Sequence, residues 1–198
     1  SCSGSDLEEK QIINCEGNVT VFYPPNYNPK SHTPSFSVIK EPSAIFDATD
    51  STTLQIEFSK LMNRQIAQIS MGDHVDLYGT GEVMGDLIRN GKSVKLWNTD
   101  NYAYGKDNGQ RLYQSHPWVL GVREDGSSFG VIADNTWKME ISLGERITFS
   151  SEGPAFRVIV IEKETPQDVM KELGKLTGTI SLPPLWSLGF HQCRYSYY

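Results

Sequence analysis

The stretch Trp118-Val119-Leu120-Gly121-Val122-Arg123-Glu124-Asp125-Gly126-Ser127-Ser128-Phe129-Gly130-Val131-Ile132-Ala133 reads as two short strands and the turn that joins them. Residues 118–123 and 129–133 are rich in β-branched and aromatic side chains, which fit a pleated, half-buried surface, and residues 124–127 are a turn signal of the kind that closes a hairpin. The pattern continues in both directions. Upstream, residues 18–22, 35–39, 52–58, 65–70, 75–78 and 94–97 alternate or carry β-branched residues between Asp, Asn, Gly and Pro; downstream, 139–143, 147–150 and 156–162 do the same. Residues 23–34, opened by Pro24-Pro25, read as a loop. About ten short strands at this spacing predict a mainly β chain, folded as a large antiparallel β-sandwich.

A helical period begins only near the end. Thr165-Pro166-Gln167-Asp168 offers an N-cap residue, a proline at the first helical position and an acid in the first turn. Val169, Met170, Leu173 and Leu176 mark one face, and Gly178 stands where a left-handed C-terminal cap belongs. Pro183-Pro184 then makes a rigid break. Beyond it, residues 187–194 open like a new buried strand, which without a partner cannot cover both its faces. The expected organisation is a flexible N-terminal segment at 1–17, a β-sandwich domain at 18–180, and at 181–198 the start of a second, truncated unit.

The bulk properties exclude several function classes. The net charge of −6 comes from mixed-sign segments without a Lys/Arg-rich block, so no nucleic acid or anionic membrane is expected as a partner. No apolar run approaches the roughly 20 residues of a membrane-spanning helix. The cysteines at 2, 15 and 193 are odd in number and far apart, implying neither a disulfide framework nor a metal site. Gly79-Thr80-Gly81 lacks the third glycine and the opening helix of a dinucleotide site, so no cofactor is expected. Cys2, followed by small and acidic residues, resembles the start of a processed bacterial lipoprotein, which would place the protein in the periplasm or on the outer membrane; the other reading is a plain terminus on a cytoplasmic protein.

Four phrases carry a more specific signal. Leu185-Trp186-Ser187-Leu188-Gly189-Phe190-His191-Gln192-Cys193-Arg194-Tyr195-Ser196-Tyr197 follows the Pro-Pro break. Upstream stand Tyr78-Gly79-Thr80-Gly81-Glu82; Leu96-Trp97-Asn98-Thr99-Asp100 with Leu112-Tyr113-Gln114-Ser115-His116-Pro117; and Phe129-Gly130-Val131-Ile132-Ala133-Asp134-Asn135. In order and spacing, from about residue 75 to the end, they resemble the amino-terminal region of glycoside hydrolase family 31, the α-glucosidase-like enzymes. Residues 1–74 add only a compatible strand pattern.

That resemblance implies a retaining α-glycosidase whose two catalytic carboxylates, roughly 5 Å apart, belong to a later (β/α)8 barrel. Residues 181–198 would be the barrel's first strand, no catalytic residue would lie in this chain, and the chain alone would be inactive. The implied substrate is an α-linked gluco-oligosaccharide or a related α-glycoside such as a xyloside. Two positions match substrate-contacting residues of the family: Asp100, on a loop leaning over the barrel mouth, and Tyr197, at the end of the first barrel strand. An ionised carboxylate at Asp100 could accept from two sugar hydroxyls at once; the plainer reading is an Asx-type turn bond to its own backbone. His191 and Arg194 read as structural groups. The alternative for the whole chain is a non-catalytic carbohydrate-binding sandwich, and an uncovered aromatic strand at 186–198 predicts docking on the barrel or self-association.

Overall fold

The expected hairpin is present, and its second strand is covered on each face. Phe129, Val131 and Ala133 point to one core and Ile132 to another, so every residue of Ser128–Ala133 is buried. In the computed structural model, residues 12–15, 17–31, 52–105 and 107–192 are described. They form eleven strands: β1 (Ile12–Cys15), β2 (Val19–Phe22), β3 (Gln55–Leu61), β4 (Arg64–Ser70), β5 (Val75–Gly81), β6 (Ser93–Leu96), β7 (Ser115–Arg123), β8 (Ser128–Ala133), β9 (Met139–Leu143), β10 (Arg146–Ser151) and β11 (Val158–Lys163). Helix α1 (Pro166–Thr177) follows. Two antiparallel sheets result, one ordered β1-β2-β11-β8-β7-β5 and the other β3-β4-β10-β9-β6. This is the anticipated sandwich.

Between the sheets lies the main core, where Ile69, Leu77, Phe129, Ile141, Phe149 and Val158 are fully excluded from solvent. The outer face of the six-stranded sheet carries a second core, made by Val21, Ile132, Ile159 and Ile161 under Val169 and Leu176 of α1. A strand buried on both faces loses its polar alternation, which is why β11 reads as a continuous run, Val158-Ile159-Val160-Ile161. On β11, Glu162 accepts from Thr53 Oγ1 at 2.6 Å and from Arg123 Nη2 at 2.9 Å, which ties the approach to β3 onto the opposite sheet.

Helix α1 begins as expected: the Thr165 side chain accepts from Asp168 N–H at 3.2 Å. Two details differ. Met170 is exposed, and Glu172 takes its place on the buried face with Val169 and Leu176, since positions 169, 172, 173 and 176 share one side of a 3.6-residue helix. Glu172 is charge-matched there by Lys163 at 3.5 Å and Lys175 at 2.9 Å. Gly178 has φ 79 and ψ 168, so it is a positive-φ glycine without the left-handed cap geometry.

Three expectations fall differently or elsewhere. The strand proposed at 35–39 lies outside the described residues. Residues 12–15, grouped with the flexible N-terminal segment, form β1, which pairs with β2. The strand expected at 187–194 is not formed in its described part: Leu185–Leu188 is a short 3-10 turn and residues 189–192 are irregular and exposed. A strand exists only when a neighbour takes up its backbone groups, and among the described residues none lies beside this segment.

Candidate functional site

β6 ends at Leu96 in register with Met139 of β9, and the chain then leaves the sandwich until β7 begins at Ser115. The excursion returns on itself. Thr99 N–H donates to Leu112 O at 2.9 Å, Asn101 Nδ2 donates to Arg111 O at 3.0 Å, and Ser115 Oγ donates to Asn98 Oδ1 at 2.6 Å. Asn101 is 1 % exposed, so a buried amide laces the two limbs together. At the tip, Tyr102–Tyr104 makes a 3-10 turn in which Ala103 and Tyr104 hold φ 53 and 57. Such angles are uncommon for residues with a Cβ and leave Tyr102 90 % exposed.

Asp100 sits on this loop with its carboxylate exposed to solvent. The Tyr113 hydroxyl, on the opposite limb, donates to Asp100 Oδ1 at 3.0 Å and accepts the Asn101 N–H at 3.2 Å. The Tyr113 phenol is pushed above its ordinary range, first by that bond to Asp100, then by desolvation, with a smaller push from the negative charge of Glu82. One partner of the Asp100 carboxylate is thus a side chain 13 residues away, which holds the residue at an exposed position on the loop. Exposed Trp97, Tyr102 and Tyr104 lie on the same excursion. Flat aromatic faces beside a fixed carboxylate are chemically suited to a neutral, hydroxyl-rich ligand.

The loop is buttressed from β5. Glu82 N–H donates to Gln114 O at 2.9 Å, while its carboxylate accepts Tyr113 N–H at 3.1 Å. Met84 N–H donates to Gly109 O at 3.1 Å, and the Met84 side chain occupies the space that a Cβ on Gly109 would need. The phrases Tyr78–Glu82 and Leu112–Pro117 therefore meet in space. Composition alone gave no role to Glu82, Asn101 or Tyr113; the available signal was that each falls in or beside a quoted phrase.

Tyr197, with Cys2, Cys193, Arg194 and Tyr195, lies outside the described residues. His191, expected as a structural group within the strand at 187–194, is exposed and contacts Ser187 O, because the described part of that segment forms no strand. Among the described residues no three of His, Cys, Asp and Glu gather into a metal-binding group.

Residues 46–141 match the glycosyl hydrolase 31 N-terminal galactose mutarotase-like domain. The chain is 41 % identical over 137 residues to α-glucosidase 2 of Bacillus thermoamyloliquefaciens, an alignment covering 67 % of this chain and 17 % of that protein. Among solved structures, a family 31 α-glucosidase from Bacteroides thetaiotaomicron is 52 % identical with a TM-score of 0.61, covering 67 % of this chain and 23 % of its own. A family 31 dextranase from Flavobacterium johnsoniae, solved with isomaltotriose, shares the fold over 90 % of this chain and 27 % of its own, with a TM-score of 0.72 at 21 % identity. The chain thus spans about a sixth of the curated relative and about a quarter of these structures. With the sandwich, the four phrases in order and these matches agreeing, the chain belongs to glycoside hydrolase family 31 and corresponds to that family's amino-terminal domain.

Proposed function

We propose that this chain is the amino-terminal sandwich of a retaining α-glucosidase-like hydrolase that cleaves α-linked gluco-oligosaccharides or a related α-glycoside. In this reading the catalytic carboxylates are supplied by a (β/α)8 barrel outside the chain, one attacking the anomeric carbon and the other protonating the leaving oxygen. The sandwich contributes substrate contacts at the barrel mouth. The observation that carries the reading is the Asp100 carboxylate, exposed on the tip loop and oriented by the Tyr113 hydroxyl at 3.0 Å. It can accept hydrogen bonds from two adjacent hydroxyls of the sugar next to the scissile bond. Tyr197 is proposed to line the glucose pocket from the first barrel strand, and Cys2 to carry a lipid anchor, which mass spectrometry of the native amino terminus would test.

The decisive assay is release of p-nitrophenol from its α-glucoside, run on this chain and on a protein carrying both sandwich and barrel. Activity in the longer protein only, with kcat/KM lowered about tenfold or more in Asp100→Asn as expected for a charged hydrogen-bonding group lost from a sugar site, supports the reading. Activity absent from both, together with sugar binding by the chain alone in a calorimetric titration, would replace it with a non-catalytic binding module.

A further inference from the structure

In the quoted phrase Tyr78–Glu82, next to the site, the backbone enters the positive-φ region three times running. Gly79, Thr80 and Gly81 hold φ 105, 72 and 96 in succession, and Thr80 does so as a β-branched residue only 1 % exposed. Close packing leaves no room for relaxation: a Cβ on Gly79 would fall 2.7 Å from Trp118 O, and one on Gly81 would fall 2.6 Å from Gln114 O. The β5–β7 register jumps here, from Gly79↔Val119 to Gly81↔Ser115, so one residue on β5 faces three on β7, with Pro117 among them. A bulge of this kind re-aims the residue that follows it. That residue is Glu82.

Glu82 is turned onto the limb that carries Tyr113, gripping it twice: its N–H donates to Gln114 O at 2.9 Å and its Oε2 accepts Tyr113 N–H at 3.1 Å. Tyr113 in turn donates to Asp100 Oδ1 at 3.0 Å. We infer that Glu82, aimed by the Gly79-Thr80-Gly81 bulge, is a positioning residue that fixes Asp100 for substrate through Tyr113. The assignment rests on the sugar-contacting role proposed for Asp100. Glu82 itself touches no substrate; its carboxylate is spent on a backbone N–H, and its effect on the sugar is transmitted by the backbone that sets the Tyr113 ring.

The test is a double-mutant cycle in the protein carrying its barrel, with kcat and KM measured separately on p-nitrophenyl α-glucoside for Glu82→Ala, Asp100→Asn and the pair. The inference expects Glu82→Ala, which removes the oxygen that accepts Tyr113 N–H, to lower kcat/KM roughly two- to tenfold, the size of one hydrogen bond, through the same parameter that Asp100→Asn moves, and to add nothing in the Asp100→Asn background. Its melting temperature should stay close to that of the parent, because Glu82 is exposed. Tyr113→Phe supplies a second route: Glu82→Ala should likewise add nothing to it. If Asp100→Asn lowers activity while Glu82→Ala is silent or fully additive, the inference is overturned and the role of Asp100 stands. If Asp100→Asn itself is silent, the role of Asp100 fails, and this inference with it.

Discussion

A phenol that donates to a carboxylate must remain neutral to do so. Ionising Tyr113 would remove its bond to Asp100 and place a third negative charge beside that carboxylate and Glu82, which is why its pKa is raised. The sign follows from linkage: a raised folded value means that the stabilisation is fully present below the ordinary tyrosine pKa of about 10 and is lost as pH rises through the folded value. Carbon-13 resonances of the nine tyrosines, followed by NMR across alkaline pH, should show Tyr113 titrating late. In Asp100→Asn its midpoint should fall back toward the ordinary value. A midpoint indifferent to that substitution would mean the hydrogen bond is not made in solution, and the positioning of Asp100 would lose its basis. At this scale the sequence was informative about Asp100 only through the family phrase it sits in, because a lone Asp in an Asn-rich loop looks like a turn residue. Its partner is 13 positions away across a fold-back, and no local pattern announces such a pair.

Strands and helix were the most legible level, since alternation and turn residues are local signals. What those signals omit is the reason for glycines inside strands. Gly130 of β8 and Gly121 of β7 are recesses in the fold, the Trp118 indole lying over Gly130 and the Phe129 ring over Gly121, with no room for a Cβ at either. Gly130→Ala is therefore expected to destabilise the domain by about 1–3 kcal/mol, the cost of forcing an extra methyl into a packed site. Urea unfolding would show it as a lower midpoint at unchanged slope, and Trp118→Leu in the same chain should recover part of the loss by vacating the recess. β1 escaped the sequence reading because a four-residue strand, paired among the described residues with β2 alone, has little pattern of its own. The opposite error, a strand expected at 187–194, has the same root: pairing decides, and propensity only permits.

The arrangement of strands into two sheets was not legible, because the pairings that define it are long-range. β2 lies against β11 across most of the chain, and β4 against β10 across five intervening strands. Both cores are closed by those pairings and by α1, and after α1 the chain departs from them. Ile180, Leu182, Trp186 and Phe190 are 93, 95, 82 and 93 % exposed, a run of large apolar side chains within eleven residues. Apolar surface gathered on one short segment drives association, whereas single exposed apolar residues do not. This chain, expressed as it stands, is therefore expected to self-associate as its concentration rises, with light scattering giving a mass above 22.2 kDa. Trp186→Ser combined with Phe190→Ser should restore the monomer. It should leave the melting temperature nearly unchanged, since exposed side chains outside the cores contribute within about 0.5 kcal/mol each. A parent chain that stays monomeric at high concentration would show that the segment folds back onto its own sandwich. The substitutions would then lower the melting temperature, and the two results together identify which surface covers residues 180–190.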